Sequence, residues 1–337
     1  MKKLILFITS ILIILAGLYL YFFVILLNQK AEISNEVKVI IPKGSSIVNS
    51  IEIVNKQNLL SPGYFFKFYA RLYAKLNNAA IFAGYYRFEE GITNMQVIQS
   101  LFNADNLYVS RVTIPEGWDL KKISEHIKKS LTTDIKQFKK LSKSDSLLKS
   151  RNIRGRSVEG YLMPNTYDFF KEISAKELMD FLLNEHEKMW KMEIAPLIPA
   201  DFKMTKHEIL TLASIVEAES ATADERPIIA GLYLNRIRIG MPLQADPTVA
   251  YAIGENRRLL YKDLAIQSDY NTYIRKGLPP GPINNPGIDA IKAVINPAKH
   301  KYIYMVAVGD GSGKHNFAST KADHDKNVKK FRNNRGF

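Results

Sequence analysis

From Leu4 to Leu27 the chain runs for 24 residues without a charged side chain, its Leu, Ile, Phe and Tyr texture interrupted by Thr9, Ser10 and Gly17. At about 1.5 Å per residue a helix of that length reaches roughly 36 Å, enough to cross a hydrocarbon core of about 30 Å with some tilt. A cleaved signal peptide would have a shorter apolar region followed by a small-x-small site. The residues that follow, Asn28, Gln29, Lys30, Ala31 and Glu32, offer none. An uncleaved anchor is therefore expected over residues 4–27. Lys2 and Lys3 precede it and Lys30 and Glu32 nearly cancel behind it, so the positive-inside rule puts residues 1–3 in the cytoplasm. The expected location is the cytoplasmic (inner) membrane, single-pass, with residues 28–337 outside the cytoplasm.

That placement governs how the charge is read. The 337 residues carry 47 Lys+Arg against 33 Asp+Glu, a formal net charge of +14. In a cytoplasmic protein such a balance would suggest nucleic acid. Outside the membrane the anions within reach are lipid headgroups, cell-wall carboxylates and wall phosphates, and nucleic acid is not an expected partner. The Lys-rich stretches 139–149 and 321–335 mix in Asp and Ser and lack interleaved aromatics, the pattern of a solvated face. With 46% hydrophobic residues the chain can fill more than one core. The absence of cysteine excludes thiol nucleophiles, disulfides and thiolate metal sites.

Behind the anchor a short pattern repeats. Residues 37–41 are β-rich, Pro42-Lys43-Gly44 makes a turn, and Ile47, Val48, Ile51 and Val54 continue at helical spacing. The same order recurs at Arg111–Ile114, Pro115-Glu116-Gly117, then Leu120, Ile123 and Ile127, with a looser copy at Tyr85–Phe88, Gly91 and Met95–Leu101. Small strand–turn–helix modules follow from this. Residues 119–190 read mainly as amphipathic helices broken near 151–164, and residues 240–300 as long ordered loops between short elements, the kind of loops that shape a site. The fold class is α+β.

One carboxylate stands out. Thr205 and Glu208 form a capping box, so a helix starts there. At about 100° per residue from Ile209, Glu217 falls at about +80°, inside an apolar arc of about −60° to +100° set by Leu212, Val216, Ala213 and Leu210. Glu219 and Glu208 fall at about −80° and −100°, on its margin. Two readings of Glu217 stand side by side: a buried carboxylate satisfied by an arginine or a backbone amide, or an acid whose pKa burial raises until it can donate a proton near neutrality. A two-carboxylate glycosidase needs its pair about 5 to 10 Å apart across one bond, and local spacing supplies no such partner.

Other chemistries fit less well. The histidines at 126, 186, 207, 300, 315 and 324 make no metal-ligand spacing, there is no G-x-S-x-G elbow, and no cofactor or metal is expected. Residues 309–314 imitate a phosphate loop but are one residue short, with His315 in place of Ser/Thr; they are expected to turn a hairpin between 302–308 and 315–317.

Several ordered blocks resemble one family. Residues 212–217 (Leu-Ala-Ser-Ile-Val-Glu), Asn235-Arg236, the run from Gly240 to Val249, the Tyr270–Tyr273 block, the run from Gly277 to Ile283, Asn285-Pro286-Gly287 and His315-Asn316-Phe317 are similar to those of the endolytic murein transglycosylases, the MltG or YceG-like family. Glu159-Gly160-Tyr161-Leu162 and Pro164-Asn165-Thr166-Tyr167 match a further block, although Asn165 stands where the family usually has Asp, which marks that block as structural. The resemblance implies a LysM-like module over 36–109 and a catalytic domain over 110–337. It implies a lyase that cleaves the β-1,4 bond between N-acetylmuramic acid and N-acetylglucosamine in nascent peptidoglycan, leaves 1,6-anhydro ends and terminates strand growth, with glycan polymerases as partners. Glu217 maps onto the catalytic glutamate. Gln244, Asp246, Thr248, Tyr270, Asn271 and Tyr273 are the candidates for orienting sugar amides and hydroxyls. A muramidase that admits water, and a non-catalytic wall-binding scaffold, are the alternatives.

Overall fold

The structure, a computed structural model, describes residues 2–255 and 257–335. Met1 of the expected cytoplasmic stretch and residues 336–337 of the expected catalytic domain lie outside the described residues. The chain divides into two compact units, Met1–Ser110 and Arg111–Phe337.

The first unit opens with helix α1 (Lys2–Asn28), within which Phe7–Asn28 is long and apolar enough to cross a membrane. Strand β1 (Val37–Ile41), helices α2 (Ile47–Asn55) and α3 (Gly63–Asn77), strand β2 (Gly84–Phe88) and helix α4 (Asn94–Leu101) follow. β1 and β2 pair antiparallel from Val37 opposite Phe88 to Ile41 opposite Gly84. Alternation along these strands puts Val39, Ile41, Tyr86 and Phe88 on one buried face, which packs on Ile51, Val54, Phe66, Val97 and Leu101. The turns between strand and helix end in side-chain caps: the Ser46 hydroxyl accepts the Asn49 amide, and Thr93 with Gln96 forms a capping box. α3 has no counterpart in the sequence reading.

Strand β3 (Val109–Ile114) begins the second unit's architecture, followed by α5 (Leu120–Ser130), α6 (Ile135–Leu141), α7 (Asp145–Ser150), β4 (Asn165–Phe170), α8 (Ala175–Met189), α9 (Lys206–Glu219), α10 (Arg226–Arg238), α11 (Asp246–Ile253), α12 (Ile288–Ile295), the hairpin β5 (Tyr304–Ala307) and β6 (His315–Ala318), and α13 (Lys321–Arg335). β3 pairs with β4, joined across the strands by Arg111–Asp168 and Thr113–Thr166. β4 falls in a stretch read as helical from the sequence. The hairpin matches expectation: Ala307 pairs with His315, and the Ser312 amide donates to Asp310 in the turn.

α9 is the axis of this unit. It starts at the expected capping box, where the Glu208 amide donates to the Thr205 hydroxyl and the Thr205 amide to the Glu208 carboxylate at 2.8 Å. Every residue from Ile209 to Val216 is buried, including Thr211 and Ser214, so the middle of α9 is enclosed on all sides rather than along one stripe. α10 and α12 pack against it. The polar groups inside are used: the Ser214 hydroxyl donates to the Thr211 carbonyl and accepts the Ile283 amide, and the Asn284 side chain donates to the Ser214 carbonyl.

Candidate active site

Glu217 sits in the last turn of α9, its side chain 8% exposed. Two loops close over it. Gly117, at φ +74°, lets the β3–α5 turn pass close: a Cβ there would stand 3.5 Å from the Glu217 Cγ. The second loop, residues 283–287, is pinned to the first. The Gly117 amide donates to the Asn285 carbonyl and the Asn285 amide to the Trp118 carbonyl, each at 2.9 Å. The Asn285 side chain donates to the Trp118 carbonyl and to Glu159, and its oxygen accepts the Leu162 amide. Glu159 in turn accepts the Leu120 amide at the start of α5. The result delivers the Gly287 amide to Glu217 Oε2 at 3.1 Å.

The other carboxylate oxygen accepts a hydrogen bond from Arg226 Nη2 at 2.7 Å. Arg226 is the first residue of α10, and its Nη2 also lies 3.8 Å from Glu116. Its buried Nε–H has no partner among the described residues, leaving one donor beside the carboxylate. The residue before it, Glu225, accepts the His315 backbone amide at 2.9 Å and meets His315 Nδ1 at 2.8 Å, so β6 holds the start of α10 in place.

Both readings of Glu217 therefore have a physical basis. An arginine and a backbone amide satisfy it, yet its pKa lies above the ordinary carboxyl value. Burial is the largest cause, the Gly287 amide and Arg226 oppose it, and the negative charges of Glu116 and Asp289 add to the rise. Desolvation outweighs the ion pair, which leaves a buried carboxyl able to hold and return a proton.

Glu219 lies on the half-buried margin of α9, where the sequence placed it, and its carboxyl is perturbed all the same. It accepts the Tyr233 hydroxyl at 3.1 Å, and burial, reinforced by Asp246, pushes its pKa up to about 7. Together with Ala218, Asp246, Tyr261 and Tyr273 it lines a cavity of 860 Å³.

The six candidate sugar-orienting residues separate. Asp246 and Tyr273 stand in this cavity wall and are joined by a 2.5 Å hydrogen bond from the Tyr273 hydroxyl. Gln244 is exposed at φ +50°, its amide fixed on the Thr272 carbonyl. Tyr270 packs on Tyr251 with ring centroids 4.9 Å apart. Thr248 and Asn271 are fully buried. Thr248 donates to the Ala245 carbonyl, and Asn271 donates to the carbonyls of Leu264 and Ile266 while accepting the Tyr273 amide.

Arg226, Gly287, Glu116 and the Glu225–His315 pair were not singled out from the sequence as parts of the site. The available signal was faint: Glu225-Arg226-Pro227 reads as a helix start, with Pro at an early helical position.

The comparisons agree with this architecture. The profile of the YceG-like family matches residues 39–330. An endolytic murein transglycosylase of Bacillus subtilis (strain 168) is 32% identical over 341 residues, covering 95% of this chain and 91% of that protein. One of Streptococcus pneumoniae (strain ATCC BAA-255 / R6) is 31% identical over 96% of this chain, which spans 64% of the pneumococcal protein. The crystal structure of a YceG-like protein from Listeria monocytogenes superimposes with a TM-score of 0.58 at 29% identity, covering 87% of this chain and 99% of that one. With a profile match that extends from β1 into α13, the chain belongs to the YceG-like family.

Proposed function

We propose that the protein is a membrane-anchored endolytic lytic transglycosylase that cuts the bond between N-acetylmuramic acid and N-acetylglucosamine within peptidoglycan strands. The observation that carries the reading is the buried carboxyl of Glu217, its pKa raised and its two oxygens held by Arg226 and the Gly287 amide, in a chain whose relatives are named endolytic murein transglycosylases.

Protonated Glu217 donates to the glycosidic oxygen as the bond from C1 of the muramic acid breaks, releasing the N-acetylglucosamine hydroxyl. The carboxylate formed is stabilised by Arg226 and the Gly287 amide. It then takes the proton from the muramic acid's own C6 hydroxyl as O6 bonds to C1. The product is a 1,6-anhydro end, the acid is regenerated, and neither water nor a second enzyme carboxylate enters. Acid–base assistance of this kind contributes about 10² to 10⁴ in rate. Asp246 and Tyr273 orient the sugar in the cavity that begins beside Ala218, while Gln244, Thr248, Tyr270 and Asn271 set the loops around it.

In this reading α1 spans the cytoplasmic membrane with its N-terminus inside, and the β1–α2–α3–β2 arrangement of the first unit serves as the small glycan-binding, LysM-like module. Cutting strands near the membrane terminates their growth and brings glycan polymerases within reach as partners; repeated co-purifications that find no polymerase would count against that association.

Glu217→Gln is the direct test, with mass spectrometry of digested glycan. The wild-type protein is expected to yield anhydro ends and the folded variant no fragments. Reducing ends from the wild type would make it a muramidase. Unchanged activity in the variant would remove Glu217 from the chemistry, and no fragments from either would favour the scaffold.

A further inference from the structure

We propose that α3 is an interfacial helix that lies on the outer face of the membrane beside the anchor, its exposed apolar row in the headgroup and upper acyl region and its cations on anionic headgroups. The proposal rests on the reading of α1 as a membrane span.

Tyr64, Phe68, Leu72 and Leu76 follow one another at four-residue spacing along α3, and they are 79%, 59%, 36% and 75% exposed. Residues at that spacing share one side of a helix, drifting by about 40° per step, so the four form a continuous row roughly 18 Å long. Isolated exposed apolar side chains are ordinary, but a row of four large ones on one helix is not. The opposite face is accounted for, since Phe66 and Ala70 are fully buried in the core of the first unit.

What covers the row is indicated by its neighbour. Phe23 of α1 meets Phe65 edge-on with ring centroids 5.1 Å apart and Tyr69 at 5.4 Å. Phe65 and Tyr69 each follow a member of the exposed row by one residue, so the apolar surface of α3 continues onto the side that touches the anchor. The contact falls near the outer end of the span, Phe23 standing about 7 Å along the helix axis before Asn28. That end is fixed to the unit. Leu27 is buried in its core, the Asn94 side chain donates to the Leu26 carbonyl at 2.9 Å, the Asn94 amide to the Gln29 carbonyl, and the Ala31 amide to the Ile92 carbonyl. A span that crosses the bilayer therefore brings α3 to the water interface.

The charge agrees. Lys67, Arg71 and Lys75 form a second row at the same spacing, and α3 carries no acidic residue. Lys67 is paired with Glu52 at 2.6 Å, while Arg71 and Lys75 face solvent. Aromatic and aliphatic side chains flanked by Lys and Arg are the composition of helices that lie in the membrane interface. The cations would add attraction to an anionic leaflet.

The chain has no native cysteine, so single labels are clean. The full chain carrying Phe68→Cys or Leu76→Cys, with Leu15→Cys marking the span and Glu90→Cys marking an exposed site in the loop between β2 and α4, is labelled with an environment-sensitive fluorophore. It is then reconstituted into vesicles of phosphatidylethanolamine and phosphatidylglycerol. Labels at 68 and 76 are expected to be quenched by lipids doxylated near the headgroup and shielded from aqueous iodide several-fold relative to the label at 90. The label at 15 should respond to deeply doxylated lipid. Replacing Arg71 and Lys75 with Ser should weaken the shielding in these vesicles and leave it unchanged in pure phosphatidylcholine. If 68 and 76 are as open to iodide as 90 while 15 is in the hydrocarbon, the interfacial helix is overturned and the anchor stands. If 15 is also open to iodide, the anchor reading fails and the proposal with it. Shielding that appears in lipid-free detergent and grows with protein concentration would assign the row to a second copy of the chain and overturn the lipid assignment.

Discussion

Glu217 is held between opposed influences, and each can be removed separately. Arg226 favours the ionised form from 2.7 Å, while burial disfavours it. Arg226→Gln should therefore raise the Glu217 pKa further, because it removes a close opposite charge that favours the ionised form. A general acid works while protonated, so the alkaline limb of the pH–rate profile is expected to move to higher pH in the variant, with lower turnover because the carboxylate formed after proton transfer loses its partner. An unshifted limb would dissociate the ion pair from the titration. Glu219 gives a test by stability. Its pKa rises from an ordinary 4.5 to about 7, so between those values the folded chain keeps a proton that the unfolded chain has lost. Stability from this group is full below the unfolded value and declines by about 1.4 kcal/mol per pH unit as pH rises toward the folded one. Denaturation followed by tryptophan fluorescence should show that Glu219→Gln is less sensitive to pH across that window than the parent. Of these residues the sequence marked only Glu217. Its helix position was readable because a capping box fixed the start of α9. The raised pKa of Glu219 was not, because an angular argument places a side chain on the helix and says nothing of Tyr233 and Asp246, which other elements bring to its carboxyl.

Between elements, the site depends on two clamps that join parts of the chain far apart in sequence. In one, Gly160 at φ +81° lets its loop pass against Pro282; a Cβ there would stand 2.4 Å from the proline ring. Gly160→Ala should cost about 1 to 3 kcal/mol through backbone strain and overpacking, read as a lower unfolding midpoint, since neither a ring nor a left-handed backbone yields easily. In the other, His315 on β6 holds Glu225 and so sets the direction from which Arg226 leaves α10. His315→Ala is expected to lower turnover with little change in substrate affinity, and His315→Asn, which can restore a donor near the Nδ1 position, to recover part of it. Equal loss in both variants, accompanied by a lower melting midpoint, would make the contact purely structural. The elements that were legible in the sequence are those announced locally. Turn residues after residues 41, 88 and 114 separated strand from helix three times, and each strand and helix formed. β4 does alternate, Tyr167 and Phe169 inward against Thr166 and Asp168 outward, but over only four residues within a stretch dominated by helical patterns, and its partner β3 lies dozens of positions away. α3 was hidden because its exposed aromatic row blurs the usual division into an apolar and a polar face. The clamps could not be read at all, since each joins residues dozens of positions apart.

At the scale of the whole chain, the two units have separate cores. The first is built from residues between Leu27 and Leu101, the second from residues between Val112 and Ile295, and among the described residues no buried side chain belongs to both. β3 keeps its pairing with β4 through Arg111 and Thr113, both inside the second unit, and every contact described around Glu217 comes from that unit as well. A domain with its own hydrophobic core can fold alone. Residues 111–337 expressed without the first unit should therefore unfold cooperatively. The chain's two tryptophans, Trp118 and Trp190, both lie in this piece, so tryptophan fluorescence follows the same unit in the intact and the shortened protein. The two midpoints are expected to coincide within error, and the shortened protein to keep its cleavage of soluble glycan strands while losing association with vesicles. Coincident midpoints with lost cleavage would mean that the first unit supplies substrate binding rather than stability. A lower midpoint would show that the second core relies on the first unit, and the independence argued from the separate cores would then be wrong.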